Sequence, residues 1–258
     1  MPSREKWNSK FQIKENTWVF VPTKETIANG LKLKKLIEDI WPIPNHYYHL
    51  RRGGHIQALM KHLKNRYFIH LDIQNFFGQI NRSRITRSLK EHIPYNRARE
   101  IAIESTVRLP DSPIIKYILP FGFVQSPIIA SICLKKSALG RHLSRLESQK
   151  DFIVSVYMDD ILVSSNNLEG LELQMELIKA VAIKSGLPLN SEKQEGPGEG
   201  ITAFNILVSK GVLTITPSRF KEFVDIFSDS TNVRQRAGIL NYVATVNRNQ
   251  ADFLGNRP

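Results

Sequence analysis

The chain has 258 residues, with 36 Lys plus Arg against 24 Asp plus Glu, a formal charge of +12 and one cysteine, Cys133. That length supports one good core or two closely packed lobes with little room for accessory domains, and the basic balance points to a polyanionic partner through counterion release. A lone cysteine excludes an internal disulfide and a cysteine-rich zinc site; no stretch reaches the roughly 18 apolar residues of a membrane span, and residues 1–6 hold no apolar signal core, so a cytoplasmic protein with no membrane attachment is expected.

In chain order, residues 24–40 read as a helix stopped by Trp41-Pro42, and a second helix is expected over 55–63. Before it, Arg51-Arg52-Gly53-Gly54-His55 places two cations and two flexible residues near a helix N-terminus. That is the chemistry of a triphosphate grip at Arg51 or Arg52, and equally of a general nucleic-acid patch. His46, His49, His55, His62 and His70 lack a cysteine partner or zincin spacing and read as packing or phosphate contacts. Arg66-Tyr67-Phe68-Ile69-His70-Leu71-Asp72 is a β-rich run that ends in an acid. Helices around 84–91 and 97–107 lead to a glycine-bearing loop over 120–126, then to a long helix after Pro127, whose fixed φ suits a first turn.

The apolar runs 152–156 and 161–163 flank Tyr157-Met158-Asp159-Asp160 and read as two strands meeting at an acidic turn. Two carboxylates crowded on a hairpin tip are costly unless cations neutralise them, which argues for bound divalent metal, with Asp72 as the third acid. Taken alone an Asp-Asp turn is weak evidence, because turns favour Asp for backbone reasons. An amphipathic helix over 168–185, a loop over 192–200 and strands near 203–208 and 212–215 follow. Residues 217–258 read as helices, with Phe220, Phe223, Val224 and Phe227 at helical spacing. Strands interspersed with helices on one side give an α+β fold.

Four ordered elements together resemble the reverse transcriptase family. Tyr157-Met158-Asp159-Asp160 is similar to its catalytic signature, and Asp72 followed by Phe76-Phe77 to its first acidic motif. Leu119-Pro120-Phe121-Gly122-Phe123-Val124-Gln125-Ser126-Pro127 matches its Leu-Pro-x-Gly-x-x-x-Ser-Pro motif, and Leu187-Pro188-Leu189-Asn190-Ser191-Glu192-Lys193 its Leu-Asn-x-x-Lys element. The Asp72-Ile73 and Phe76-Phe77 style resembles bacterial retron or phage-defence members more than retroviral ones.

The resemblance implies a right-hand polymerase: an antiparallel sheet packed on helices as palm, with fingers and a short helical thumb. Fingers would occupy 1–65, the palm with inserted fingers elements 66–216, and the thumb 217–258. It implies an RNA-directed DNA polymerase using two Mg²⁺ ions, or Mn²⁺ in their place, deoxynucleoside triphosphates, an RNA template and a DNA or RNA primer. Asp72 and Asp159 would bridge the metals, with Asp160 and the Ile73 backbone carbonyl as neighbouring ligands. Phe77 would be the aromatic gate against a ribose 2′-hydroxyl, although packing beside Phe76 is the competing reading. Phe121, Gly122 and Gln125 of the 120–126 loop would lie against the nucleotide and template base, unless that loop is a plain connector. Phe121 stands where retroviral relatives have a polar glutamine, which puts a hydrogen bond there in doubt. Met158 would pack near the primer end or in the hairpin core, and Lys193 near the departing pyrophosphate or in solvent. With only about forty residues after the palm, a structured RNA, a partner protein or self-association is expected to help hold the duplex. Template-independent or protein-primed synthesis is the alternative within the enzyme class, and a non-catalytic RNA-binding assembly subunit is the alternative outside it.

Overall fold

The computed structural model describes residues 6–14, 17–110 and 112–256; the opening residues 1–5, read above for a signal core, lie outside it, as do 257 and 258 of the expected C-terminal helices. The chain begins with an antiparallel hairpin, β1 (Trp7–Lys14) and β2 (Thr17–Pro22), which the sequence reading did not anticipate. Helix α1 (Lys24–Ile40) follows directly, capped by Thr23, whose hydroxyl accepts from the Thr26 amide at 3.1 Å. It buries Gly30, Leu33 and Ile37, a three-to-four spacing, and ends before Trp41-Pro42 as expected. Helix α2 (Gly54–His62) opens after Gly53 in the left-handed region at φ 88°.

The centre is a four-stranded antiparallel sheet in the order β6-β7-β3-β8. Strand β3 (Tyr67–Asp72) lies inside it, with every residue after Tyr67 buried. Helices α3 (Arg82–Leu89) and α4 (Tyr95–Glu104) come next, followed by the two-residue pair β4 (Val107–Arg108) and β5 (Tyr117–Ile118). The expected helix to residue 107 stops at Glu104, because the Thr106 hydroxyl turns back to the Ala102 carbonyl and Val107 pairs with Ile118. The expected long helix after Pro127 is two: α5 (Ser126–Lys136) and α6 (Ala138–Glu147), broken at Ser137, whose hydroxyl caps α6 through the Gly140 amide.

Strands β6 (Phe152–Tyr157) and β7 (Asp160–Ser165) form the expected hairpin, and α7 (Leu168–Lys184) packs on β3 and β7 through Leu171, Met175, Ile178 and Ala182. The segment expected as a loop over 192–200 instead contributes β8 (Glu195–Gly198) and the start of β9 (Gly200–Ala203). Its composition is poor for a strand, but β3 has an open edge, and pairing of Phe68 with Gly198 and His70 with Glu195 satisfies those backbone groups. Next comes β10 (Ile206–Ser209), so the strand expected near 203–208 is split by Phe204 and Asn205, both at positive φ, 56° and 60°, as a tight hairpin turn requires. Strand β11 (Val212–Ile215) completes a second sheet, and α8 (Pro217–Asp229), α9 (Val233–Val246) and α10 (Arg248–Gly255) end the chain.

One core lies between the four-stranded sheet and helices α3 to α7; a second joins the β9-β10-β11 sheet to α2 and the last three helices. His62 of α2 faces strands β6 and β7 of the four-stranded sheet, with Nδ1 2.7 Å from Ser164 Oγ and Nε2 2.7 Å from Ser155 Oγ. Burial pushes its pKa from 6.5 down to about 3. His46 is lowered to about 4 by burial and by the charges of Lys135 and Arg51.

Both rings are therefore neutral in the fold, whereas unfolded they take up a proton near 6.5. Their contribution to stability is complete above that pH and is lost as pH falls toward the folded values, each by up to about 1.4 kcal/mol per pH unit. Urea denaturation midpoints are expected to fall steadily from pH 7 to pH 5; a flat profile across that interval would contradict this account.

Candidate active site

Asp72 is the last residue of β3 and lies directly across from Asp160, the first of β7, so their side chains share a face. Asp160 also pairs with Tyr157 to close the β6–β7 hairpin, leaving Met158 and Asp159 as its turn, with Met158 at φ 57°. The turn is pinned on two sides: the Ile73 amide donates to the Asp159 carbonyl at 2.9 Å, and the Met158 amide donates to His49 Nδ1 at 2.9 Å. A third chain segment arrives from α7. The Gln74 amide donates to the Pro188 carbonyl and the Asn190 amide to the Asp72 carbonyl, both at 2.8 Å, and the short turn that follows carries Lys193 to the acids.

The three carboxylates are held differently. Asp72, nearly buried, accepts from Lys193 Nζ at 2.9 Å, and this hydrogen bond raises the lysine's pKa. Asp160 Oδ1 accepts from His70 Nε2 at 2.7 Å. Burial alone would lower the His70 pKa, but the hydrogen bond and charge of Asp160 outweigh it and leave it raised. Asp159 has no such cation of its own: burial, then the negative charges of Asp160 and Asp72, push its carboxyl up to about 6.

Asp72, Asp159 and Lys193 edge a cleft of about 480 Å³. Of the residues expected from sequence, Asp72, Ile73, Phe121, Asp159 and Lys193 line it. Thr17, Gln74, Asn75, Phe76, Gln79 and Asn190 line it as well. Thr17 comes from β2 and carries no signal in the sequence. His70 does carry one: two residues before Asp72 on a strand, it lies on the face of the acid.

The other expected residues, Asp160 and Met158 of the hairpin among them, lie outside that wall. Phe77 is buried, its ring 4.6 Å from Phe121 and 5.8 Å from Phe76. Gly122 has φ 102°, and a Cβ there would collide with the Phe20 carbonyl, so the close approach that requires glycine is to β2. Gln125 is buried against Gly30 of α1 with its Oε1 unpaired. Arg51 and Arg52 are exposed on the segment beside β6, where Arg51 Nη2 donates to Asn45 Oδ1 at 2.6 Å.

Among the described residues, no group of three or more His, Cys, Asp or Glu is gathered as a metal cage. Asp72 and Asp160 instead have separate partners, Lys193 and His70. The donor chemistry nevertheless fits a hard divalent ion: Asp72 and Asp159 open on one cleft, and Asp159 is destabilised by its neighbours' negative charge.

A carboxylate trio on a buried antiparallel sheet, beside a lysine and under an aromatic-lined cleft, is the arrangement of a nucleotidyl-transferring polymerase palm. The family model for reverse transcriptase (RNA-dependent DNA polymerase) matches residues 27–202, and the chain belongs to that family. It is similar to the enzymatic polyprotein of Cassava vein mosaic virus, 25% identical over 130 residues, covering 49% of this chain and 18% of the relative. Its fold is that of the solved telomerases from Candida albicans (TM-score 0.54, 10% identity, 89% of this chain and 48% of that one) and Candida tropicalis (TM-score 0.54, 14% identity, 84% and 43%). The chain thus spans less than half the length of each of these proteins.

Because the Asp159 carboxylate is buried and held against like charge, Asp159→Asn is expected to stabilise the metal-free protein by about 1–2 kcal/mol. Thermal melts at pH 7.5 in a chelator check this; a lower melting temperature for the variant would contradict it.

Proposed function

We propose that the protein is an RNA-directed DNA polymerase, joining a deoxynucleoside triphosphate to a primer 3′-hydroxyl on an RNA template. The observation that carries this reading is the convergence of Asp72, Asp159 and Lys193 on one cleft, in a chain of this family. Residues 1–65 then act as fingers, 66–216 as palm with inserted fingers elements, and 217–258 as a short thumb. Asp72, Asp159 and the Ile73 carbonyl would hold divalent ions, Mg²⁺ in the first instance, with Asp160 in support. Such ions supply activation of the primer hydroxyl and charge neutralisation at the leaving pyrophosphate.

The chain's own residues supply the rest. Lys193 keeps an ammonium at the cleft while Asp72 holds it, suited to stabilise or protonate the departing pyrophosphate. His70 fixes the carboxylate of Asp160 through its hydrogen bond. Phe121 gives the cleft an apolar wall with Phe77 packed behind it, and Phe76 contributes a second ring. The Asp72-Ile73 and Phe76-Phe77 style supports a retron-like or defence-associated bacterial member acting in the cytoplasm against phage, helped by a structured RNA or a partner.

Incorporation of labelled deoxynucleotides on a primed RNA template tests the reaction. Asp72→Asn and Asp159→Asn are each expected to lower it by about a thousandfold or more. Synthesis that survives removal of RNA would instead support untemplated extension, and RNA binding without any incorporation would support the assembly role. For sugar choice, Phe77→Val is expected to admit ribonucleotides. If Phe76→Val does so and Phe77→Val does not, the gate is the ring that lines the cleft.

A further inference from the structure

A hollow of about 400 Å³ opens among the helices that cover the four-stranded sheet, and it shares no wall residue with the catalytic cleft. Arg84 and Arg87 of α3, Lys136 at the end of α5, Arg141 of α6 and Lys184 at the end of α7 converge on it. Five of the ten residues that line it are Lys or Arg and none is Asp or Glu. Lys136 pairs with Glu91 of the loop after α3. Among the described residues, Arg84, Arg87, Arg141 and Lys184 have no carboxylate partner.

Backbone carbonyls hold two of these cations in place without cancelling their charge. Arg84 Nη2 donates to Ser185 O at 2.8 Å, and Arg141 Nη1 donates to Lys136 O at 2.5 Å. Ser137 and Ala138 at the start of α6 form part of the wall, as do the C-terminal ends of α5 and α7, so its positive field comes from the side chains and not from helix dipoles. Cys133 also lines the hollow; burial pushes its thiol up to about 12, so it adds no negative charge. Ser88 and Ser185 complete the polar lining.

The wall has no aromatic face to stack a base and no carboxamide or carboxylate to read a base edge. It is built for phosphate. We propose that this hollow is a second nucleic-acid contact, seating the phosphodiester backbone of a folded strand outside the catalytic cleft. The proposal goes beyond the polymerase reading and does not depend on turnover.

Binding of a labelled stem–loop RNA, and of a DNA hairpin of the same sequence, tests it. The full chain is compared with the triple variant Arg87→Glu, Arg141→Glu and Lys184→Glu, all exposed positions. Lys32→Glu, Lys150→Glu and Lys210→Glu is the control with the same change in net charge. The hollow variant is expected to bind at least tenfold more weakly and to lose about 2 from the slope of log affinity against log salt. The control is expected to change less than threefold. Circular dichroism melts establish that both variants fold, and a milder Gln triple at the same three positions should give an intermediate loss. The RNA and DNA arms show which strand the hollow prefers. Equal weakening in hollow variant and control, or equal affinity for poly-glutamate of matched charge, overturns the proposal.

Discussion

The pairing of β3 with β7 is the constraint on which the rest of the molecule depends. Both strands are almost wholly buried, so their register is fixed by the core: a slip of one residue would turn Ile69, Leu71 and Ile73 away from their present neighbours. The same register sets Asp72 opposite Asp160, and the hairpin that follows from it lifts Asp159 beside them. Apolar packing thus enforces an electrostatic arrangement that is unfavourable on its own terms.

Every neighbouring device can be read as an accommodation of that charge. His70 from inside the sheet and Lys193 from the segment after α7 each hydrogen-bond one acid, and Asp159 has neither as a direct partner. The segment delivering Lys193 is tied to the backbone of Asp72 and Gln74, so the lysine is placed by main-chain bonds and not by its flexible stem. That segment begins beside Ser185 in the wall of the basic hollow and ends at Asn190 and Lys193 in the cleft. The two phosphate-suited regions are therefore joined by a few residues of well-anchored chain.

Much of this is legible in the sequence. The runs around Phe68 and Val163 announce strands by their β-branched and aromatic content, and the acids are marked by motif order. What could not be read has physical causes. Strand β8 is Glu-Gly-Pro-Gly, with no local preference for its state; it forms because β3 offers unpaired backbone groups. In the first hairpin β1 is exposed and largely polar and gives little signal, whereas the β-branched and aromatic content of β2, Thr-Trp-Val-Phe-Val-Pro, is a strand signal that the sequence reading missed. Arg51 and Arg52 have the right chemistry for a triphosphate, yet sequence carries no information about which side of the hairpin they flank. Gly122 was expected against the nucleotide; the approach that requires it is to the carbonyl of Phe20, on a strand a hundred residues earlier that sequence offers no means of placing.

That contact at Gly122 has a mechanical meaning. The Phe20 amide donates to the Phe121 carbonyl at 3.0 Å, Val19 bridges Phe121, and Thr17 on the same strand reaches the cleft wall. Glycine at 122 lets these backbones lie close enough to act as one stiff plate. Any rocking of the N-terminal hairpin therefore carries the phenyl ring of residue 121 with it, so that narrowing the cleft from above and repositioning its apolar ceiling are a single motion.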